Sequence, residues 1–151
     1  MIPSRTATLF VAMILLSAAC GAVAPAPAQS GTPDLGGTSW RLVKFQDSND
    51  QAVMPDDGAK YTIAFSRDGS LVARIDCNRG GGTWKSAGPG EVEFGPLALT
   101  RAMCPPESLH DRIVKHLGSI RSYVVKDGHL FLSVRANGGV YEFEPLPKES
   151  S

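Results

Sequence analysis

Residues 61–77 read YTIAFSRDGSLVARIDC, two runs of alternating apolar and polar residues joined by Asp68-Gly69. Successive side chains of a strand point to opposite faces, so each run is typical of a half-buried β-strand. An Asp-Gly pair favours a tight hairpin turn, because glycine accepts a positive φ without a Cβ clash. The stretch therefore predicts an antiparallel hairpin with one face on the core.

The same pattern recurs on both sides of this hairpin. Asp127-Gly128 and Asn137-Gly138 are two further hairpin signals between alternating runs. The other alternating runs lie at Trp40–Phe45, Val92–Phe94, 122–126, Leu130–Val134 and Tyr141–Phe143. Together these signals predict a mainly β domain of seven or eight short antiparallel strands, arranged as a barrel or a sandwich.

One α-helix is predicted from Pro106 to Leu117. Proline suits the first helical turn, and Gly118 is a common residue at a helix end. Leu109, Ile113 and Leu117 lie four residues apart and form an apolar stripe. A helix of this length is marginal on its own, so we expect its stripe to dock on the sheet.

Length and charge limit the classes of function. The chain has 151 residues, and its 15 basic residues balance its 15 acidic residues. This length holds one ordinary domain, and the neutral balance gives no electrostatic reason to bind nucleic acid. A hydrophobic fraction of 42% is enough for a packed core. The composition excludes large multidomain enzymes and basic DNA-binding proteins.

The N-terminus reads as an export signal. Arg5 precedes the apolar run Leu9–Leu16, which is shorter than the roughly 20 residues of a transmembrane helix. The small residues before Cys20 are similar to a bacterial lipobox, which predicts a signal peptide over residues 1–19 and a diacylated Cys20. Acyl chains at this position would hold the protein on a membrane. The alternatives are ordinary secretion with cleavage after residues 26–28, or a Cys20 that is discarded with the leader.

The region after Cys20 is predicted to be a tether. Residues 20–37 are rich in Ala, Pro and Gly, have no periodicity and contain one charge, which is typical of an extended spacer. The domain is expected over residues 38–146, followed by a disordered tail over 147–151. The predicted location is the cell envelope, with the lipid in the outer membrane and the domain facing the periplasm if the organism is Gram-negative. A soluble periplasmic or secreted protein is the alternative.

Cys77 and Cys104 remain once Cys20 is assigned to lipid. An oxidising compartment makes a disulfide between them the default interpretation. The alternatives are a redox pair or metal site, and two unpaired thiols. Neither cysteine lies in a Cys-x-x-Cys element, and no histidine lies within four residues of either. The sequence gives no set of ligands for a metal and no binding motif for a cofactor.

Three short elements carry a resemblance to a known family. They are Trp40-Arg41-Leu42, Cys77-Asn78-Arg79 and Thr100-Arg101-Ala102-Met103-Cys104, in this order and before a helix. The chain resembles the META-domain family, also called HslJ-like, over about residues 38–145. It departs from the family pattern at Ala73 and Asp76, where glycine is usual.

The resemblance implies a small antiparallel β-barrel of lipocalin-like arrangement with one helix. Members of the family are largely bacterial envelope proteins, often lipoproteins, linked to heat-shock response and antibiotic tolerance. No catalytic activity is established for the family, and it often supplies Cys77 and Cys104 as a pair.

Several patterns that could indicate chemistry have a simpler interpretation. Gly80–Gly82 precede a returning strand and not a helix, which favours a hairpin or bulge over a phosphate-binding loop. Glu91 and Glu93 alternate with apolar residues, which favours a solvated outer face over a catalytic pair. The remaining candidates, interpreted as surface histidines and not metal ligands, are His110, His116 and His129.

Arg79 and Arg101 are the candidate binding residues. Both lie close in sequence to the cysteine pair, Arg79 two residues after Cys77 and Arg101 three before Cys104. We hypothesise that they line a small patch for an anion or a protein partner. The alternative is that their guanidinium groups hydrogen-bond carbonyls of irregular loops.

The leading interpretation is a non-enzymatic, envelope-anchored accessory protein. It would be a monomer that presents a rigid β-surface to another envelope protein, with a role in envelope stress. The alternatives are a small hydrophobic-ligand carrier, since a barrel can enclose one ligand, and a hydrolase inhibitor. An inhibitor would insert an exposed loop, and the candidate is the glycine-rich segment 80–90.

Overall fold

The computed structural model describes residues 34–147. This part of the chain forms ten β-strands and one α-helix, with one short 3-10 turn at Gly58–Lys60. The strands are β1 Thr38–Gln46, β2 Ala52–Val53, β3 Tyr61–Phe65, β4 Ser70–Ile75, β5 Asn78–Lys85, β6 Glu93–Phe94, β7 Ala98–Leu99, β8 Ile120–Lys126, β9 His129–Val134 and β10 Val140–Pro145, and helix α1 is His110–Leu117. The predicted signal peptide and lipidated Cys20 lie outside the described residues.

The strands form one nearly closed antiparallel barrel. Eight of them follow the order β6-β5-β4-β3-β1-β10-β9-β8, while β2 pairs with β1 and β7 pairs with β5. The segment before β6 closes the barrel onto β8, where Val92 N donates to Arg121 O (3.1 Å) and Tyr123 N donates to Gly90 O (2.8 Å). A mainly β barrel with one helix is the fold class that the sequence predicts, and the structure confirms it.

The hairpins form where the Asp-Gly pairs predict them. Asp127 and Gly128 join β8 to β9 with φ angles of 52° and 80°. Two positive φ values are the mark of the type I′ turn, whose twist suits antiparallel strands. Between β3 and β4, Gly69 has a φ of 84°, and the Asp68 carboxylate accepts hydrogen bonds from the backbone and the hydroxyl of Ser70.

The interpretation of Gly80–Gly82 as a hairpin or bulge is wrong. All three glycines lie inside strand β5, paired with β4 on one side and, at Gly80 and Gly81, with β7 on the other. A Cβ on Gly80 would overlap the carbonyl oxygen of Ala98, and one on Gly82 would lie 2.6 Å from the carbonyl oxygen of Pro96. Gly80 and Gly82 are needed because the chain from residue 95 to 99 crosses close to β5, and Gly81 because a Cβ there would lie 2.8 Å from the carbonyl oxygen of Leu71.

The helix is shorter than predicted. It begins at His110, because the chain from Pro105 to Ser108 makes a turn in which Ser108 N donates to Pro105 O (3.0 Å). Leu109 N then donates to the hydroxyl of Tyr61 on strand β3 (3.1 Å). This bond to the barrel satisfies the backbone donor just before the first turn, so the chain needs no further helical residues there.

The apolar stripe of the helix docks as predicted. Its three residues are buried against the barrel, together with the inward side chains of the strands. The buried apolar residues that form this core are Leu35, Trp40, Leu42, Phe45, Tyr61, Ile63, Phe65, Leu71, Ala73, Ile75, Val92, Phe94, Leu109, Ile113, Leu117, Ile120, Tyr123, Leu130, Leu132, Val134, Tyr141 and Phe143.

The folded part begins before the predicted start at Thr38. Leu35 is buried, and Gly37 N donates to the carbonyl oxygen of Phe65 at the end of β3 (2.6 Å). Residues 34–37, which the sequence analysis assigns to the tether, therefore pack on the barrel. The rest of the predicted tether lies outside the described residues. No helix among residues 34–147 is long and apolar enough to cross a membrane.

The two ends of the barrel carry different elements. Strand β3 begins at Tyr61, whose hydroxyl contacts the helix, and ends at Phe65, which contacts residue 37. Five residues of strand span about 14 Å, so the first described residues and the helix lie at opposite ends. We name them the N-terminal end, with residues 34–38 and the turns at 66–69 and 127–128, and the helix end, with α1 and the connections around it.

Candidate binding loop

A cross-linked loop stands at the helix end. We name residues 100–106, which follow strand β7, the cystine loop, because Cys104 in it forms a disulfide with Cys77 in the turn just before β5. The two Cα atoms are 5.5 Å apart. The disulfide confirms the default interpretation of the cysteine pair. It ties the loop to the β4–β5 turn across 27 positions of sequence.

The side chain of Asn78 holds the same loop from inside. Its Oδ1 accepts hydrogen bonds from Thr100 Oγ1 (2.9 Å) and Ala102 N (2.8 Å), and its Nδ2 donates to Ala102 O (3.0 Å). The Nδ2 also lies 3.3 Å from the Cys104 sulfur and 3.4 Å from the Cys77 sulfur. Asn78 is 1% exposed, so its amide replaces the strand partner that Ala102 lacks.

One large apolar side chain projects from this rigid loop. Met103 is 98% exposed, although Asn78 and the disulfide fix the residues on either side of it. Ala102, Pro105 and Pro106 are exposed as well. Sequence analysis missed Met103 because it treated the motif around Cys104 as a family signature. The available signal in the sequence was a large apolar residue, Met103, next to Cys104 and two residues after the charged Arg101.

The structure places both candidate arginines beside this loop. Arg79 N donates to Thr100 Oγ1 (3.0 Å), and Thr100 N donates to Arg79 O (3.0 Å), so Arg79 flanks the base of the loop on which Arg101 lies. Both side chains are exposed. Neither guanidinium makes an ion pair or hydrogen bond with another of residues 34–147. The alternative, in which they bond loop carbonyls, has no support there.

A groove runs alongside the loop. It has a volume of about 480 Å³ and separates strand β7 and the start of the cystine loop from helix α1. Its walls include Leu97, Leu99 and Arg101 on one side and His110 and Val114 on the other. The volume lies within the roughly 300–1,000 Å³ of ligand sites in proteins.

The sequence analysis interprets the three histidines as surface residues and not metal ligands. Each is partly buried and has a ring contact of its own. The Nδ1 atom of His110 lies 2.9 Å from a carboxylate oxygen of Asp111. That of His116 lies 2.8 Å from the hydroxyl of Tyr141. That of His129 lies 2.8 Å from a carboxylate oxygen of Glu142. Within residues 34–147 no group of three His, Cys, Asp or Glu residues is placed to hold a metal ion.

The environment of His116 favours its neutral form. Burial, assisted by the positive charges of Arg112 and Lys115, lowers its pKa below the ordinary value of 6.5. Burial also raises the pKa of Tyr141 well above its usual range, so this hydroxyl stays protonated. The neutral imidazole can accept a hydrogen bond from the Tyr141 hydroxyl at Nδ1, which links the last turn of α1 to strand β10.

The barrel interior is filled by side chains. The void lined by Ile63, Ala73, Ile113 and Phe143 measures about 30 Å³, an order of magnitude below the size of a ligand pocket. Carriage of a hydrophobic ligand inside the barrel therefore has no support from the described residues. The glycine-rich segment proposed for an inhibitor is mostly strand β5, and only residues 86–90 form a loop there.

A larger and shallower groove lies elsewhere at the helix end. It has a volume of about 680 Å³ and lies between the loop after β1 and the β9–β10 turn. Its carboxylates already bond their own loop, since Asp47 accepts from the backbone of Asn49 and Gln51, and Asp50 accepts from the Gln46 amide. These carboxylates therefore serve the structure of the loop, and we do not assign the groove a ligand.

Comparisons with known proteins agree with this architecture. The META domain matches residues 33–146. The chain is similar to the NMR structure of a protein from Burkholderia xenovorans, with a TM-score of 0.64 and 21% identity over 83% of this chain and 100% of that chain. It is also similar to the crystal structure of a DUF4847 family protein from Bacteroides vulgatus, with a TM-score of 0.55 and 14% identity over 76% of this chain and 96% of that chain.

These identities are low, so the two structures show a shared fold and nothing about activity. No curated protein matches the chain. The META domain match covers the whole barrel, from the residues that precede β1 to the end of β10. The chain therefore belongs to the META domain family.

Proposed function

We propose that this protein is a non-enzymatic accessory factor of the bacterial cell envelope that binds another envelope protein through the cystine loop. The exposure of Met103 on a loop fixed by a disulfide and by Asn78 is the observation that carries the proposal. Exposed apolar side chains on rigid supports are typical anchors of protein interfaces, because little conformational entropy is lost on binding. A role in envelope stress is part of the same proposal.

The chain enters the barrel at the end opposite to the cystine loop, an arrangement that suits a membrane anchor at Cys20. The chain leads into strand β1 at the N-terminal end, about 14 Å from the helix end that carries the cystine loop. A lipid on Cys20 would therefore tether the barrel from the end opposite to the cystine loop. Two or three acyl chains are enough for stable anchoring. We expect Cys20→Ser to move the protein from the membrane fraction to the soluble fraction.

The rings of the three histidines already have partners among the described residues. The histidine rings contact two carboxylates and a tyrosine hydroxyl, and no serine hydroxyl or thiol lies beside a ring nitrogen among residues 34–147. A nucleophile and base within hydrogen-bond reach are the usual requirement of covalent catalysis.

A hydrolase inhibitor is the second candidate, because the cystine loop is the rigid, projecting element that such an inhibitor needs.

A photocrosslinking amino acid at position 103, in native membranes, tests the proposal. Met54 is the matched control, since it is also a methionine and is 71% exposed. We expect one discrete adduct from position 103 and none from position 54. The adduct should disappear when Cys77→Ala and Cys104→Ala release the loop. Equal crosslinking at both positions, or none at 103, would contradict a binding role for this loop.

A further inference from the structure

The groove beside the cystine loop carries a further inference, which begins with the edge of strand β7. Thr100 N donates a hydrogen bond to Arg79 O, so Thr100 and Arg79 form a hydrogen-bonded pair of the antiparallel ladder. Hydrogen-bonded and non-bonded positions alternate along such a ladder, so Leu99, opposite Gly80, directs its N–H and C=O away from β5. Among residues 34–147, β7 has no strand on this outer side.

The unpaired edge opens on the groove. Leu97 and Leu99 form its β7 wall, and helix α1 contributes Val114, which is 40% exposed, and His110. An exposed strand edge next to an apolar wall is the arrangement used by proteins that bind an extended peptide as an added strand. The Nε2 atom of His110 is buried and has no hydrogen-bond partner among the described residues.

Charge indicates what kind of peptide fits. Arg101 lines the groove, and Arg79 flanks the loop base, both without an acidic partner among residues 34–147. By contrast, Arg41 pairs with Glu144, and Arg74 donates to backbone carbonyls. Guanidinium groups are well suited to carboxylates, which they bind with two parallel hydrogen bonds.

We propose that the groove between β7 and α1 binds an extended acidic segment of the partner protein, which pairs with the edge of β7 and places a carboxylate on Arg101. The proposal rests on the proposed function and names the chemistry of its partner. The apolar side chains of the segment would contact Leu99 and Val114. Its acidic side chains would lie towards Arg101, which lines the same wall of the groove as Leu99, with Arg79 adding to the positive potential.

Two other occupants fit less well. Residues 20–33 of this chain contain no Asp or Glu, so the predicted tether offers Arg101 no carboxylate. A second copy of the protein would pair one two-residue edge with another, because β7 comprises only Ala98 and Leu99. An acidic strand from a partner uses both the edge and the charge.

The test uses the full-length protein in detergent micelles and a blocked pentapeptide, acetyl-Val-Glu-Val-Glu-Val-amide, followed by NMR. We expect the backbone amide signals of Leu97, Leu99 and Arg101 to shift, with a Kd in the range of about 0.1–1 mM. The Gln analogue of the peptide should bind at least about fivefold more weakly. An analogue with N-methyl groups on its two central amides should lose binding, because it cannot complete the ladder.

Matched variants separate this site from a general attraction of acids. Arg101→Gln should remove the preference for Glu over Gln, whereas Arg135→Gln, an exposed arginine on the β9–β10 turn, should leave it unchanged. Absence of shifts at about 5 mM peptide, equal binding of the N-methylated peptide, or shifts outside the groove would each overturn the proposal. Crosslinking at position 103 could succeed in each of these cases, so failure here is distinct from failure of the proposed function.

Discussion

The two ends of the barrel are stabilised by different interactions. At the N-terminal end, Leu35 is buried and Phe65 packs edge-on against Trp84, with ring centroids 5.2 Å apart. At the helix end, the cystine loop is held by a disulfide and by the hydrogen bonds of Asn78. Burial dominates at the first end, whereas the cystine loop at the second end is held by specific bonds.

The difference explains how Met103 can remain outside the core. Loops that are held by apolar burial must turn their large apolar side chains inward, because that burial is the source of their stability. The cystine loop does not depend on burial, since a covalent bond and a buried amide fix its backbone. Its one large apolar side chain is therefore available for a partner.

Phe65→Ala should be the most destabilising of the changes we consider. Phe65 is 1% exposed and contacts the rings of Trp84 and Phe94, so truncation leaves a cavity at the N-terminal end. We expect the free energy of unfolding to fall by about 3–5 kcal/mol in urea titration. Phe131→Ala, on the partly exposed outer face of β9, is the control and should cost less than half as much. Equal losses would mean that burial at this end has no special weight.

Removal of the disulfide should be the next largest effect. Cys77→Ala with Cys104→Ala frees the chain across 27 positions, which costs about 3 kcal/mol in the chain-entropy model. Hydrogen exchange should then accelerate at residues 100–104 and not at 35–38. Reduced wild-type protein is the control and should behave like the double variant. Faster exchange at both ends alike would contradict the separation of the two ends.

Asn78→Ala tests the second restraint on the same loop. It leaves the N–H and C=O of Ala102 without their partner, and we expect a loss of about 2 kcal/mol in the free energy of unfolding. Asn49→Ala, in an exposed turn, should change it by less than about 0.5 kcal/mol. If Asn78→Ala matched Asn49→Ala, the disulfide alone would hold the loop.

The contrast between the ends also separates what the sequence could predict from what it could not. Alternation and the Asp-Gly pairs are local signals, and they predict the antiparallel strands and two-residue turns such as Asp127-Gly128, while the choice of a barrel over a sandwich comes from the family resemblance. The role of Gly80 depends on the later chain that crosses it, and that of Asn78 depends on the register of Ala102. The late start of α1 depends on Tyr61, 48 positions before Leu109. Long-range contacts of this kind leave no pattern in a short window.

A fall in pH should destabilise the protein through His116 at the helix end. The pKa of His116 is lowered in the folded state, so below about pH 6.5 the unfolded state takes up a proton that the folded state resists. Stability from this group is complete above pH 6.5 and is lost as pH falls towards the folded pKa. We expect wild-type protein to lose more stability between pH 7 and pH 5 than His116→Gln. Parallel pH profiles of the two proteins would contradict this role of the bond to Tyr141.

Met103→Ala should have the smallest effect on stability and a large effect on binding. The side chain is 98% exposed and contributes little to the core, so the free energy of unfolding should change by less than about 0.5 kcal/mol. The amount of partner recovered with the protein from crosslinked membranes should fall by at least about tenfold, as for an interface anchor. Met54→Ala, at another exposed methionine, should change neither quantity. A loss of stability in Met103→Ala would show that burial also holds the cystine loop, and unchanged recovery would show that the exposed Met103 side chain does not contact a partner.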